Sequence, residues 1–339
     1  MDDAKKTSAY ADLMRLVNGY QISQAIHVAA SLGVADHLHD TACSIEELAS
    51  RTASHPGALY RLLRALASVG VLHEGENKTF SLTAMGECLR SDAPMPVGDW
   101  AAHIGRPYIW QSWGHLLHSV RTGEVGFENL YKQSAWEFRA ANPEENAFFD
   151  RAMTASSQSV VQAAVDAYDF DQFRHIVDVG GGQGQLLSGI LSANPHVRGT
   201  LFDQPHVVIR AKDVLARYGL SERCTIVSGS FFETVPEGAD AYLLKSIIHD
   251  WDDEKAIDIL RVCRRATGTG AKLLLVERVI EQPNEGALNK FSDLNMLVNL
   301  GGRERTPQEY SDLCQSAGFR LCRIVQAGML YGIVEAEPI

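Results

Sequence analysis

The stretch His175-Ile-Val-Asp-Val-Gly-Gly-Gly-Gln-Gly184 decides how the rest of this chain is interpreted. A short apolar run breaks into three consecutive glycines, which is the pattern of a buried strand that ends in a tight turn. Because glycine has no Cβ, it adopts positive φ readily and lets a ligand approach the main chain. Residues 185–194 then show helical spacing and end before Pro195. The stretch therefore predicts a strand, a ligand-binding glycine turn and a helix.

The spacing of these glycines argues against a dinucleotide. The G-x-G-x-x-G fingerprint needs a third glycine, and its position holds Gln185 or Leu187, depending on the first glycine counted. Residues 199–203 predict a second strand that ends in Asp203, an acid placed to bind ribose hydroxyls. These features together predict a nucleoside without phosphates, of which S-adenosylmethionine is the common example. The alternative is a purely structural turn in an α/β protein.

Composition and charge narrow the class of protein. The chain has 339 residues, enough for two domains, and an ordinary globular composition with 45% hydrophobic residues. Its formal net charge of −11 disfavours binding to nucleic acid or to anionic membranes, because both attract basic surfaces. The six cysteines include no C-x-x-C pair, which favours reduced thiols over disulfides or a zinc site. With a polar amino terminus and no apolar run of about 18 residues, we expect a soluble, cytoplasmic protein.

Residues 1–95 predict a helical domain with the outline of a winged helix. Apolar residues recur at helical intervals from about Ala9 to Leu38, so we expect one long helix there. A capping box at residues 44–47 and the pair Pro56-Gly57 open two further helices. Residues 71–74 and 78–82 then predict a small hairpin.

A winged helix often binds DNA through a helix in the major groove. The candidate helix carries Arg61 and Arg64, but Glu46, Glu47 and Glu74 surround it in the sequence. We therefore expect a dimerisation or lid role for this domain and no nucleic-acid partner. A regulator that binds both S-adenosylmethionine and DNA is the remote alternative.

Residues 96–168 predict a helical linker rich in aromatic side chains. Such rings can stack against a flat substrate, although aromatics at helical spacing more often form a core. We interpret the linker as contributing to a substrate pocket, with Met153 among its candidates. His115 and His118 lie three residues apart, but no third ligand completes a site, and we predict no metal.

In residues 169–339, strands alternate with helices. Further strands are predicted over residues 224–229, 239–245 and 272–277, with a helix from Asp253 to Ala266. This alternation predicts an α/β, Rossmann-like domain whose mostly parallel sheet has helices on both faces. Thr306-Pro-Gln-Glu309 is a strong helix start. Two closing strands over residues 319–325 and 330–336 predict an antiparallel edge.

Ligands of open α/β sheets lie beyond the carboxyl ends of the strands, so residues that follow strands are candidates. These are Asp178, Gly180, Gly182, Asp203, Ser230, Phe231, Lys245, His249, Trp251 and Glu277. Two histidines follow strands, and His206 comes only three residues after the proposed ribose acid. His249 is therefore the better candidate for chemistry.

His249 suits the role of general base if the ligand is a methyl donor. A phenol has a pKa of about 10 and imidazole one of about 6.5, so neutral histidine can take a phenolic proton as methyl transfer proceeds. Glu277 and Glu304 are the candidates for orienting the ring and stabilising the imidazolium. The alternative is a structural histidine near a helix start, where Asp250, Asp252 and Asp253 are interpreted as first-turn caps of the next helix.

Five ordered segments resemble the motifs of the S-adenosylmethionine-dependent O-methyltransferases, in the subgroup of plant caffeic-acid-type enzymes and their bacterial natural-product relatives. The segments are Asp178–Gly184, Leu201–Pro205, Gly229–Phe232, Leu244–Asp253 and Gly301–Thr306. The similarity extends over essentially the whole chain. It implies S-adenosylmethionine as cofactor, a small aromatic substrate and a homodimer built through the amino-terminal domain.

The resemblance also implies roles for single residues. The cofactor residues are Gly180 at the methionine part, Asp203 at the ribose, Ser230 and Phe231 beside adenine, and Lys245 nearby. His249 takes the position of the general base, flanked by Glu277 and Glu304. Side chains expected to shape the substrate pocket are Met153, Trp251, Asn295, Met296 and Asn299.

Two positions depart from the family pattern. Ser230 stands where many relatives have an aspartate, and serine accepts a hydrogen bond from adenine more weakly. Gln204 replaces a residue that is usually apolar. Some members of the group methylate nitrogen or carbon, or use the cofactor without methylating. An intact His249 with both glutamates favours oxygen.

Overall fold

The computed structural model describes residues 2–39 and 41–339. The chain forms two compact units. The first comprises Met1–Gln111 and Arg139–Ser156, and the second comprises Ser112–Phe138 and Ser157–Ile339. The domain boundaries expected after residues 95 and 168 stay predictions.

The first unit is built from short helices around a small sheet. Its elements are α1 (Asp2–Val17), α2 (Gly19–Ser31), α3 (Val34–His37), β1 (Cys43–Ser44), α4 (Ile45–Arg51), α5 (Pro56–Ser68), β2 (Leu72–Glu74), β3 (Thr79–Leu82), α6 (Ala84–Glu87), α7 (Gly98–Ile104), the start of α8 (Pro107–Gly114), the end of α11 (Ala135–Ala141) and the start of α12 (Pro143–Ala167). The three strands pair in the order β1-β3-β2 and are antiparallel. Leu48, Leu63 and Phe80 lie fully buried in its core.

The long amino-terminal helix expected from the sequence is instead divided into α1, α2 and α3. The break between α1 and α2 falls at Asn18, whose φ of −88° and ψ of 4° are not helical. Asparagine and the following Gly19 are both weak helix formers, which explains why the chain breaks there. Leu13, Leu16 and Val17 on α1 are 61%, 68% and 60% exposed.

Other local expectations for this unit are confirmed. The Ser44 hydroxyl accepts a hydrogen bond from the Glu47 amide at 3.2 Å and caps α4. Pro56 occupies the start of α5. Strands β2 and β3 form the predicted hairpin, with Leu72 opposite Leu82.

The second unit contains the larger sheet. Its elements are α9 (Leu116–Thr122), α10 (Gly126–Tyr131), part of α11 (Ala135–Ala141), the end of α12 (Pro143–Ala167), β4 (His175–Val179), α13 (Gln185–Ala193), β5 (Arg198–Asp203), α14 (Ala211–Arg217), β6 (Cys224–Ser228), β7 (Ala241–Lys245), α15 (Asp253–Ala266), β8 (Lys272–Arg278), α16 (Ala287–Asn299), α17 (Pro307–Ser316), β9 (Phe319–Ala327) and β10 (Tyr331–Pro338). Thr306 and Glu309 form the predicted capping box of α17.

The seven strands lie in the order β6-β5-β4-β7-β8-β10-β9. The first five are parallel, whereas β10 pairs antiparallel with both β8 and β9. This arrangement confirms the predicted α/β class and its antiparallel edge. Because β4 lies between β5 and β7, the strand order reverses at β4, which is the position where open α/β sheets bind their ligands at the carboxyl ends of the strands.

Side chains of the central strands alternate between two cores on opposite faces of the sheet. Ile176 and Leu243 belong to one core, and Val177 and Tyr242 belong to the other. All four are fully buried. Burial on both faces explains why these strands are continuous apolar runs in the sequence. Of the helices that the structure describes, none combines the length and apolar character that a membrane crossing requires.

Candidate active site

The glycine turn after β4 leaves its main chain open. Gly180 and Gly182 have φ of +70° and +62°, a region that side chains with a Cβ rarely adopt. A Cβ on Gly181 would lie 2.5 Å from Oδ2 of Asp178, so this position has no room for one. A Cβ on Gly182 would meet nothing within 4 Å. The turn is thus packed beneath Gly181 and open at Gly182, as a ligand-binding turn must be.

Asp203, at the end of β5, is fixed against this turn. Its Oδ2 atom accepts a hydrogen bond from the Gly182 amide at 2.8 Å, and its Oδ1 atom accepts one from the Gln204 amide at 2.6 Å. Burial raises the pKa of the Asp203 carboxyl, and the two amides oppose that shift. The structure therefore brings the predicted ribose acid and the glycine turn together. The Gln204 side chain is exposed.

Asp178, near the end of β4, is a buried acid without a hydrogen-bond partner. It is 1% exposed, and neither carboxyl oxygen has a partner in the part of the chain that the structure describes. Burial raises its pKa to about 7, although the charge of Lys245 opposes the shift. Lys245 itself donates to the Ser157 hydroxyl at 3.1 Å. Buried polar atoms are nearly always paired, so the Asp178 carboxyl is suited to accept a hydrogen bond from a ligand.

Ser230 and Phe231 follow β6, next to the glycine turn. A Cβ on Gly180 would lie 3.5 Å from Cε1 of Phe231, which places that ring beside the turn. The Ser230 hydroxyl accepts a hydrogen bond from the Phe232 amide at 3.3 Å. The two adjacent phenylalanine rings are tilted, with centroids 5.0 Å apart.

His249 lies in a short 3-10 turn that follows β7. The turn starts after Ser246, whose φ of +54° is unusual for a residue with a side chain. The buried carboxylate of Glu277 accepts hydrogen bonds from the Ile247 and Ile248 amides at 2.9 and 2.8 Å. Strained backbone of this kind persists only where its surroundings hold it, and it is common at functional sites.

The structure brings together the three residues predicted to act in catalysis. Nδ1 of His249 lies 3.1 Å from Oε1 of Glu304 and 3.7 Å from Oε2 of Glu277. Since a carboxylate can only accept, Nδ1 carries the hydrogen and Nε2 is the basic nitrogen of the neutral ring. Nε2 lies 3.4 Å from Oδ1 of Asp250. Ser292 donates to the same Glu304 oxygen at 2.8 Å.

The charges around His249 favour its protonated form. Burial lowers the pKa of the imidazole, but the negative charges of Glu304, Glu277 and Asp250 outweigh burial and raise it well above its usual value of 6.5. Burial raises the pKa of Glu277 to about 7. Burial acts in the same direction on Glu304, yet the cation and hydrogen bond of His249 bring its pKa below the usual value. The site is therefore built to hold an imidazolium.

The same three side chains have donor atoms within 4.8 Å of one another, close enough to share a metal ion. Oε2 of Glu277 and Oε2 of Glu304 have no hydrogen-bond partner among the described residues. Two carboxylates and an imidazole are a chemically suitable ligand set. The prediction of no metal, argued from the cysteine spacing and from His115 and His118, did not consider this cluster, and it stays a prediction.

The residues expected to shape the substrate pocket fall in both units. Trp251 packs edge-on against Phe232, with centroids 4.9 Å apart. Met296 and Asn299 on α16 are buried, and Asn295 accepts hydrogen bonds through Oδ1 from Trp113 and Asn299. Met153 lies on α12 within the first unit.

Three functional contacts were not foreseen from the sequence. Asp252 is the helix cap that was expected, accepting from the Lys255 amide at 2.8 Å, whereas Asp250 faces the imidazole instead. Ser292 supports Glu304, and Arg305 is fully buried behind the His249 turn. The sequence does not indicate which of the aspartates after His249 faces the imidazole. Nor does it indicate which of Arg303 and Arg305 is buried.

Two family models match this chain. Residues 113–320 match the O-methyltransferase domain, and residues 14–92 match the O-methyltransferase dimerisation domain. The first match alone covers more than half of the chain. The chain therefore belongs to the O-methyltransferase family, which uses S-adenosylmethionine as its cofactor.

Individual relatives agree with this assignment. The phenazine O-methyltransferase PhzM of Lysobacter antibioticus is 42% identical over 96% of both chains. The crystal structure of LaPhzM has a TM-score of 0.92 and 41% identity, covering 98% of this chain and 99% of that one. The O-methyltransferase NcsB1 from neocarzinostatin biosynthesis, solved with S-adenosylmethionine and 2-hydroxy-5-methyl naphthoic acid, has a TM-score of 0.80 and 34% identity, covering 94% and 96%.

Two other relatives carry different activities. An 8-amino-8-demethylriboflavin N,N-dimethyltransferase of Streptomyces davaonensis is 35% identical, covering 94% of this chain and 92% of its own. The aclacinomycin 10-hydroxylase RdmB of Streptomyces purpurascens is 38% identical, covering 91% and 84%. Relatives of similar identity therefore differ in the reaction that their names give.

Proposed function

We propose that this protein methylates a hydroxyl group of a small aromatic natural-product intermediate, with His249 as the general base. The observation that carries the proposal is the imidazole whose Nδ1 atom lies 3.1 Å from Glu304, since that contact leaves Nε2 as the basic atom. Methyl transfer to a phenol needs the proton removed at the oxygen that attacks. A ring held in this tautomer is suited to that step.

The residues at the carboxyl ends of β4 to β7 fit S-adenosylmethionine. The cofactor supplies a methyl group already activated by a positively charged sulfur. The unpaired oxygens of Asp178 offer two acceptors for its ammonium group. Asp203 is assigned to the ribose hydroxyls, Gly180 and Gly182 to close main-chain approach, and Ser230, Phe231 and Gln204 to the region of adenine and ribose. Lys245 balances the buried charge of Asp178.

The carboxylates make His249 a stronger base than a free imidazole. Its pKa is raised well above 6.5 by Glu304, Glu277 and Asp250, which together outweigh burial. This shift moves the imidazole towards the phenol pKa of about 10, so that the free-energy cost of moving the proton falls. Asp250, 3.4 Å from Nε2, is the partner that a substrate hydroxyl replaces.

The substrate class follows from the relatives rather than from this chain alone. NcsB1 binds a naphthoic acid, and PhzM is a phenazine enzyme, so both handle flat, fused aromatic rings. We assign the holding of such a ring to Trp251, Asn295, Met296 and Asn299, which all lie in the second unit. The expected role of Met153 stays a prediction. Aromatic and sulfur-containing surfaces suit a flat apolar ligand.

A panel of candidate substrates, made up of hydroxylated naphthoates, phenazines and simple phenols, tests the proposal. The protein is incubated with each compound and S-adenosylmethionine, and mass spectrometry with NMR locates any new methyl group. We expect it on oxygen. His249→Ala should lower kcat by about 10²- to 10⁴-fold, the usual worth of a general base. Its control is His196→Ala, at an exposed histidine paired with Asp171.

A second candidate function rests on the N,N-dimethyltransferase and the hydroxylase among the relatives. Under that alternative the new methyl group appears on nitrogen or carbon, or no methyl group is transferred at all. Full turnover in His249→Ala would favour it, because positioning alone would then carry the reaction. Binding of S-adenosylmethionine with a DNA-mobility shift, and without any turnover, would favour a regulator.

We also infer a homodimer formed through the amino-terminal domain. The match to the dimerisation domain starts at residue 14, and Leu13, Leu16 and Val17 on α1 expose most of their apolar surface. Large exposed apolar side chains grouped on one helix are typical of an interface. Light scattering should give twice the mass of one chain, and Leu16→Asp should lower the measured mass towards that of one chain.

We also propose that the protein is cytoplasmic. Six unpaired cysteines, four of them buried, favour the reducing cytoplasm.

A further inference from the structure

Arg305 is a fully buried arginine whose hydrogen bonds go to the turn that carries His249. Its Nη1 atom donates to the Ile248 carbonyl at 3.0 Å, and its Nη2 atom donates to the Trp251 carbonyl at 3.0 Å. Nε and Nη2 both donate to Oδ1 of Asp253, at 3.0 and 2.7 Å. One guanidinium thus spans the residues on both sides of His249.

The segment that carries Arg305 reaches the same turn in three further ways. The Arg303 amide donates to the His249 carbonyl at 2.9 Å. A Cβ on Gly302 would lie 2.0 Å from that carbonyl oxygen, so only glycine allows the close approach. Glu304, between the two arginines, holds the imidazole itself. The main chain and the side chain of His249 are therefore both fixed by residues 302–305.

We propose that Arg305 is a positioning residue for the general base. It sets the main chain of the turn from Ile248 to Trp251, so that Nδ1 stays on Glu304 and Nε2 faces the reacting hydroxyl. A planar guanidinium with several fixed donors is suited to holding this turn, because one side chain can bind two carbonyls and a carboxylate at once. A displacement of about 1 Å at a catalytic group can cost about 10²-fold in rate.

The first test compares Arg305→Met with Arg264→Met. Arg264 donates to the main-chain carbonyls of Gly318, Thr267 and Ile339 in the same unit, so its loss is a matched structural control. We expect Arg305→Met to lower kcat by about 10- to 100-fold while the Kd of S-adenosylmethionine changes less than about twofold. Arg264→Met should lower thermal stability and leave kcat within about twofold. Arg305→Lys should recover part of kcat.

The second measurement does not depend on turnover. NMR titration of the His249 ring nitrogens reports the contact with Glu304. Arg305→Lys keeps the positive charge but loses the planar fork of donors, so it should move the imidazole pKa downwards by weakening that contact. This inference rests on the proposed function only for its kinetic part. If no substrate is found for the unmodified protein, the proposed function fails, and the titration still decides the role of Arg305.

Asp253, the carboxylate partner of Arg305, offers a second variant in case Arg305→Met does not fold. Asp253 has a side chain that is 52% exposed, so Asp253→Asn weakens the Arg305 contacts from the surface. We expect the same direction of change, with kcat lower by about threefold. The inference is overturned if Arg305→Met behaves as Arg264→Met does. It is equally overturned if Arg305→Met does not fold and both Asp253→Asn and Arg305→Lys keep the unmodified kcat and imidazole pKa.

Discussion

Nδ1 of His249 lies 3.1 Å from Oε1 of Glu304, and Ser292 donates to the same carboxylate oxygen at 2.8 Å. Glu304 is 2% exposed, so this contact lies out of water, where a charge pair acts more strongly. The ionised glutamate fixes the tautomer and raises the basicity of the ring at once. These two effects can be separated by experiment, because only the second depends on charge.

Replacing Glu304 by glutamine removes the charge and keeps a hydrogen-bond acceptor. The pKa of His249 is held well above 6.5 by Glu304, Glu277 and Asp250 against the effect of burial. The reaction needs the neutral imidazole, so kcat should rise with pH through a midpoint above 6.5. In Glu304→Gln we expect that midpoint to fall by about 1 unit or more. The kcat–pH profile measures it, with the exposed Glu254→Gln as control. An unmoved midpoint would show that Glu304 does not set the basicity.

Asp178 should make the protein less stable in the absence of cofactor. Burial raises its pKa from 3.8 to about 7, so the folded state binds this proton more tightly than the unfolded state does. The free energy of unfolding therefore falls as pH rises from about 4 to about 7. Asp178→Asn should raise stability at pH 8 by about 1–3 kcal/mol, have little effect near pH 4, and weaken cofactor binding. Thermal unfolding at both pH values, with calorimetry of S-adenosylmethionine, tests this; equal stabilisation at pH 4 and pH 8 would contradict it.

Asp203→Asn tests the assignment of the ribose acid. The variant keeps the size of the side chain but loses the negative charge that binds two hydroxyls, so we expect S-adenosylmethionine to bind about 10- to 100-fold more weakly. Isothermal calorimetry measures the change. Asp213→Asn, at an exposed position on α14, is the control. Affinity equal to that of the unmodified protein would show that the ribose lies elsewhere.

The fold could be predicted in some detail because its signals are local. The glycine turn, the capping box at Thr306 and the alternating apolar runs each specify an element without reference to distant residues. The single long helix expected near the amino terminus was wrong, because the apolar spacing of α1 and α2 continues through Asn18 although the backbone does not. Periodicity shows which side chains are apolar but not where a helix breaks.

The site could be predicted only as far as strand ends indicate it. His249 follows a strand, Glu277 lies at the end of one, and Glu304 comes just before the capped helix that starts at Thr306. Arg305 could not be singled out, because Arg303, two residues earlier, is 44% exposed and pairs with the same Asp253. Which of these two arginines is buried depends on packing between segments more than 50 residues apart, as the contact from Arg305 to Asp253 shows. No local pattern carries that information.

Trp113 and Asn295 provide a test of the substrate assignment. Indole Nε1 is only a donor, so its 3.1 Å contact fixes the Asn295 amide with Oδ1 towards Trp113, and Asn299 donates to the same oxygen at 2.9 Å. If Asn295 lies in the substrate site as proposed, its amide nitrogen is the side that can donate to an acceptor on the substrate. Trp113→Phe removes one of the two contacts, and we expect the KM for an accepted aromatic substrate to rise about 3- to 10-fold, with kcat nearly unchanged, since one hydrogen bond is worth about 1 kcal/mol. Steady-state kinetics with Trp136→Phe as control measure this split, and a KM that stays constant in Trp113→Phe would remove Asn295 from the substrate site.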